Sequence, residues 1–206
     1  MNMRQEREIG NGESLAAPIE SVASNDARSL KLGLGVAGCV VLTALASQIR
    51  VPIPGTEVPM TLQLVAVLLT GFLLPPVHAV AAMMLYLGLG AAGAPVFAPG
   101  SAGLAGSTGG YLVGFAVSAW LVSVLKGPTD SGLRRMFAAG AVGTAALFVC
   151  GIAWRIQLAL SAGLLGGDVW LVVVTGFLPF APKALIELSF AVMLARRLRG
   201  WGQTRR

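Results

Sequence analysis

Val51-Pro-Ile-Pro-Gly-Thr-Glu-Val-Pro-Met-Thr-Leu-Gln63 and Pro95-Val-Phe-Ala-Pro-Gly-Ser-Ala-Gly-Leu-Ala-Gly-Ser-Thr-Gly-Gly-Tyr-Leu112 are the two stretches whose reading decides the fold. Each is rich in Pro, Gly and hydroxyl-bearing residues, and each separates strongly apolar segments. Irregular backbone beside hydrophobic spans survives only where protein or a water-filled cavity covers it. Counting the crossings places both stretches on the same face of a membrane. Together they read as the lining of a small-solute pocket.

Working outward, the composition sets the class. Of 206 residues 55% are hydrophobic and 12% charged, against about 25% charged in soluble domains. Mean hydropathy is +0.77. The nine acids and fifteen bases are bunched at the two ends and in one internal loop. The expected fold is therefore an all-α integral membrane protein with six transmembrane helices and pocket-forming extracytoplasmic loops. The surplus of +6 reads as a topology signal rather than nucleic-acid affinity, because Lys and Arg gather on the cytoplasmic side of short loops. The 27 glycines suit close packing between membrane helices. Cys39 and Cys150 lie inside apolar runs and read as small packers, not as ligands or a disulfide.

A spanning helix needs roughly 17–25 mostly apolar residues. That yardstick gives helices at about 30–49, 62–74, 77–92, 111–125, 136–160 and 182–198. Pro75-Pro76 ends the second. Asp168 to Leu178 is apolar but too short to span, so a re-entrant or interfacial segment is expected. The second and third helices are short, leaving thinning or tilt to absorb the mismatch. Residues 1–28 read as a disordered cytoplasmic tail with no apolar core for a cleavable signal. Residues 29–199 form the membrane domain, and 200–206 a basic tail. Arg28 and Lys31, then Lys126, Arg134 and Arg135, then Arg196, Arg197, Arg199, Arg205 and Arg206 fall on one side of an even-numbered bundle. That side is expected to be the cytoplasm, with both termini in it. The loops 50–61 and 93–110 and the segment 161–181 face the other way.

Several polar residues in these segments suit ligand binding. Ser107, Thr108 and Tyr111 supply hydroxyls that both donate and accept, and Gln63 supplies one acceptor and two donors, matched to an amide or ureido group. Thr61 either binds or caps the following helix. Lys183 and Glu187 are four apart, share a helix face and can pair; a cation there can also meet a ligand carboxylate. Arg155 interrupts an apolar helix near its end and is expected to snorkel to the interface. His78 follows the Pro75-Pro76 turn without partners. No nucleophile–base pair, metal motif or Gly-Lys-Ser/Thr phosphate loop occurs, so no enzyme, metal or cofactor is expected. Gly33 with Ala37, and Thr43 with Ser47, form a small-residue stripe expected to dock a helix of this chain or of a partner.

Val58-Pro-Met-Thr-Leu-Gln63, Leu85-Tyr-Leu-Gly-Leu-Gly-Ala-Ala-Gly-Ala-Pro-Val-Phe97 and Ser107-Thr-Gly-Gly-Tyr-Leu-Val-Gly-Phe115 strongly resemble the BioY family, the biotin-specific S components of energy-coupling factor transporters. The resemblance runs from about Thr43 to Leu198. It implies a multi-pass protein of the bacterial cytoplasmic (inner) membrane that captures biotin from outside. It adds Tyr86 to the expected binding residues Thr61, Gln63, Ser107, Thr108, Tyr111, Lys183 and Glu187. It implies as partners a transmembrane coupling (T) component and two cytoplasmic ATPase subunits, which supply energy that a chain without a Walker motif cannot. The stripe of Gly33, Ala37, Thr43 and Ser47 looks like the docking surface. One departure matters. The family's last helix commonly begins Pro-Phe-x-Pro-Gly-Asp-x-x-Lys, and its Asp and Lys contact biotin. Here the run is Pro179-Phe-Ala-Pro-Lys-Ala-Leu-Ile-Glu187, with Ala184 at the Asp position and Glu187 at the Lys position. Either Lys183 and Glu187 exchange roles across one turn, or the ligand is another small vitamin or a biotin precursor, or biotin binds weakly.

Overall fold

In the computed structural model, residues 3–51, 60–128, 131–163 and 169–201 are described. Most of the first loop, Asp168 and the final residues 202–206 lie outside them. Seven helices follow in order: α1 (Met3–Gln48), α2 (Gln63–Leu73), α3 (Pro76–Ala91), α4 (Gly109–Leu125), α5 (Leu133–Ser161), α6 (Val169–Phe177) and α7 (Ala181–Trp201). A two-residue antiparallel ribbon joins β1 (Arg50–Val51) to β2 (Met60–Thr61), with Arg50 opposite Thr61. By internal contacts the chain divides into Met1–Gly35 and Val36–Arg206. In the first unit, where a disordered tail is expected, the backbone is helical from Met3. Arg, Gln, Glu, Leu and Ala are sound helix formers.

In the second unit α4 is the hub, packed most extensively on α5 and also on α2 and α3, while α7 packs on α2 and α5. Glycine makes the α4–α5 contact close. A Cβ at Gly114 would lie 3.1 Å from both Leu147 Cα and Cys150 Cβ, and one at Gly151 would lie 2.2 Å from the Tyr111 ring. Tyr86, Phe72, Leu68 and Met83 are fully buried in the resulting core. Yet Val77, Val149, Trp170 and Ile186 are all exposed on the outside. An apolar interior with an equally apolar exterior is what a lipid solvent permits and water does not. Asp26–Gln48, Leu133–Ser161 and Val169–Gly200 are long and apolar enough to cross a membrane. The chain is a membrane protein. The 11-residue α2 extends only about 16 Å, half of a roughly 30 Å hydrocarbon core. The segment expected to be re-entrant or interfacial forms α6, a helix of nine residues.

The α2–α3 turn explains one end of the bundle. Pro75 and Pro76 bring no N–H groups, so Gly71 and Phe72 lose their normal helical donors, while Pro76 suits the first turn of α3. Lys126 Nζ replaces one of them, donating to Gly71 O at 2.9 Å and Leu74 O at 2.5 Å. Ser123 Oγ adds a bond to Leu74 O at 2.6 Å. Arg135 Nε donates to Leu125 O, and Arg199 Nη2 to the carbonyls of Gly127 and Pro128. Cations from two of the sequence clusters thus gather at this end as helix-end donors. Burial, aided by nearby Arg199, pushes Lys126 down to about 8.

Candidate ligand-binding site

At the opposite end a cavity opens among α2, α4, α5, α7 and the connections before α2 and α4. Its polar edge holds Thr61, Gln63, Ser101, Thr108, Lys183 and Glu187; its apolar wall includes Phe97, Phe115, Phe148 and Phe180. Tyr111 contributes to both kinds of surface.

The polar edge is one connected network. Gln63 opens α2 and is only 5% exposed. Its Nε2 donates to Tyr86 OH at 2.7 Å, and Tyr86 OH donates to Val96 O at 3.0 Å. Thr61 Oγ1 donates to Gln63 Oε1 at 2.9 Å. Those bonds fix which way the Gln63 amide points and leave it one N–H and one lone pair. Lys183 Nζ donates to Thr61 O and, at 2.5 Å, to Glu187 Oε2. Four elements are thereby joined: α3, α2, β2 and α7. Ser47 Oγ also lies 2.7 Å from Val96 O, so α1 and α3 both hold the start of the second loop. Further along that loop, Gly100 and Gly103 sit at φ +72° and +59°, a region glycine enters without a Cβ clash.

The pair Lys183–Glu187 has an asymmetry. Its side chains are 23% and 5% exposed. Glu187 Oε2 is paired, whereas Oε1 is buried without a hydrogen-bond partner among the described residues. A buried carboxylate oxygen left unmatched is costly, so it is an acceptor awaiting a donor. Ala184, at the Asp position of the motif, lines the cavity with a methyl group only.

The aromatic wall is braced edge to face. Tyr86 and Phe97 have centroids 5.5 Å apart at 74°, Tyr111 and Phe148 6.2 Å at 88°, and Phe148 and Phe177 5.2 Å at 85°. Tyr111 OH donates to Gly176 O at 2.9 Å, tying α4 to α6. Arg155, expected to snorkel, instead turns to α6, with Nη2 3.3 Å from Thr175 Oγ1. Among the described residues no three His, Cys, Asp or Glu side chains gather. The chemistry on offer is shape, aromatic contact, hydrogen bonding and one ion pair.

Six of the expected residues meet here: Thr61, Gln63, Thr108, Tyr111, Lys183 and Glu187. Tyr86 does not line the cavity; fully buried, it stands behind Gln63 and orients it. Ser107 does not line it either and sits in the turn before α4. Half of the stripe on α1 meets this chain itself rather than a partner. Thr43 and Ser47 are fully buried, Thr43 bonding Cys39 O and Ser47 reaching Val96 O within this chain's own bundle. They do not form an outer docking face, because their polar groups are used internally. Gly33 and Ala37 are exposed. Sequence reasoning missed Phe97, Phe115, Phe148 and Phe180. The spacing of Tyr111 with Phe115, one helical turn apart, was an available signal.

Residues 20–204 match the model of the BioY family. The chain is 32% identical over 168 residues to a probable biotin transporter BioY of Pyrococcus horikoshii, covering 80% of this chain and 94% of that one. It is 32% identical over 152 residues to the biotin transporter BioY of Thermotoga maritima, covering 72% and 85%. Its fold is similar to that of a crystal structure of the S-component for biotin from an ECF-type ABC transporter. The TM-score is 0.75 at 21% identity, over 84% of this chain and 93% of that chain.

Proposed function

The chain belongs to the BioY family, and we propose that it captures biotin as the S component of an energy-coupling factor transporter in the cytoplasmic membrane. The observation that carries this reading is the cavity itself. A vitamin with a polar ureido ring, an apolar body and a carboxylate needs an amide-matching donor and acceptor, an aromatic trough and a cation. Gln63, the wall of Tyr111, Phe115, Phe148 and Phe180, and Lys183 offer those three in one place.

In this reading six segments cross the membrane, α2 and α3 accommodating their shortness by tilt or local thinning. The Lys126–Arg135–Arg199 end and both termini face the cytoplasm, and the cavity faces outward. Biotin enters from outside, and a transmembrane coupling component with two ATPase subunits drives its release inward. Of the expected docking residues, the exposed Gly33 and Ala37 remain candidates. The role is transport, not catalysis.

Purified protein titrated with biotin in a calorimeter tests the reading. Submicromolar binding, about −8.2 kcal/mol or better, is expected; absence of binding by folded protein refutes it. A second reading rests on Ala184 and Glu187 departing from the family's Asp and Lys: the ligand is then another small vitamin or a biotin precursor. Binding of a precursor with no heat from biotin would select that alternative.

A further inference from the structure

We propose that Glu187 is a proton acceptor in ligand capture, so that each carboxylate-bearing ligand entering the cavity brings one proton with it. The inference rests on the biotin reading above and adds a coupling that the reading does not contain.

Lys183 is the sole cation among the described residues lining the cavity, and it is already committed. Two of its three N–H bonds go to Thr61 O and Glu187 Oε2. The described lining residues supply one ammonium and one carboxylate, whose charges balance. A ligand carboxylate that takes the remaining N–H, or displaces Glu187, leaves two carboxylates sharing one cation. Glu187 is 5% exposed, so water offers its charge little compensation. Two like charges competing for one partner in such a place do not both stay ionised.

Among the described residues, no second cation lines the cavity to offset the excess. Helix α2, packed on α7, carries no ionisable side chain. Helix α5, its other neighbour, carries Arg134 and Arg135 near its start, Cys150, and Arg155, which does not line the cavity and is engaged with α6 and with the Tyr111 hydroxyl. Tyr111 of α4 spends its hydroxyl proton on Gly176 O, and α6 has no ionisable residue. Arg50 of the ribbon lies against Gly100. On α7 itself, Arg196, Arg197 and Arg199 are more than two turns farther on. The balance closes with one proton from solvent onto a Glu187 oxygen. The ligated site is then ammonium, carboxylic acid and ligand carboxylate, again neutral. The protonated Glu187 becomes a donor as well as an acceptor.

Calorimetry at pH 7 in buffers of low and high ionisation enthalpy, phosphate and Tris, reads the proton directly. Wild-type protein should take up about one proton per biotin. Glu187→Gln, whatever its affinity, should take up close to none. Biotin amide, which brings no charge, should bind the wild type without uptake, and this arm serves even where Glu187→Gln fails to fold. Biotin binding without proton uptake would overturn the proposal and leave the transport reading standing. Equal uptake by the wild type and Glu187→Gln would also overturn it, assigning the proton elsewhere. Failure of folded protein to bind biotin would instead strike the transport reading, and this proposal with it.

Discussion

The two ends of the Val36–Arg206 bundle use the same chemical groups to opposite purpose. At one end Lys126, Arg135 and Arg199 donate to carbonyls that helix termini and prolines have stranded. At the other, Lys183 holds one carbonyl and a carboxylate whose second oxygen stays unmatched. A cation on a backbone carbonyl has no reason to leave. A cation on a side-chain carboxylate can exchange that partner for another anion. What separates structural from ligand-ready polarity is therefore the partner, not the residue type.

That contrast is open to attack. The largest effect is expected for Lys183→Ala, which should weaken biotin about a hundredfold, the upper range for a lost charge-assisted bond, and weaken biotin amide less. Equal losses for acid and amide would remove Lys183 from carboxylate recognition. Gln63→Ala should cost about tenfold in affinity with the melting temperature nearly held, since Gln63 is the group left with a spare donor and acceptor. Unchanged affinity there would detach the network from ligand binding. Tyr86→Phe removes only the hydroxyl that aims Gln63, and a loss of about fivefold is expected. A loss as large as that of Gln63→Ala would mean that Tyr86 touches the ligand.

The smallest effect belongs to the other end and appears as stability, not affinity. With Lys126 pushed down to about 8 from 10.5, the unfolded chain binds more protons than the folded one between those values. Stability should then rise with pH through that window. Lys126→Met should flatten the rise in a thermal melt and leave biotin affinity untouched. A tenfold change in affinity would show that the two ends are not separate.

The sequence made the helices legible because prolines, glycines and charges break otherwise apolar runs. Pro75-Pro76 marks the α2–α3 boundary to within a residue or two, and the 93–110 loop announces itself by composition. The polar half of the site was legible too, since Gln63, Lys183 and Glu187 stand out against apolar neighbours. The apolar half was not. In a lipid-exposed bundle, inward and outward faces are equally hydrophobic, so Phe148 facing the cavity and Val149 facing out look alike in pattern. The α1 stripe is a related case. A spacing of four says that Thr43 and Ser47 share a face, not whose surface that face meets.

The carbonyl of Val96 is gripped from two helices, by Ser47 of α1 and Tyr86 of α3. It acts as a doorpost. A movement of this loop that admits a solute is expected to start beyond it, where Gly100 and Gly103 hold left-handed backbone.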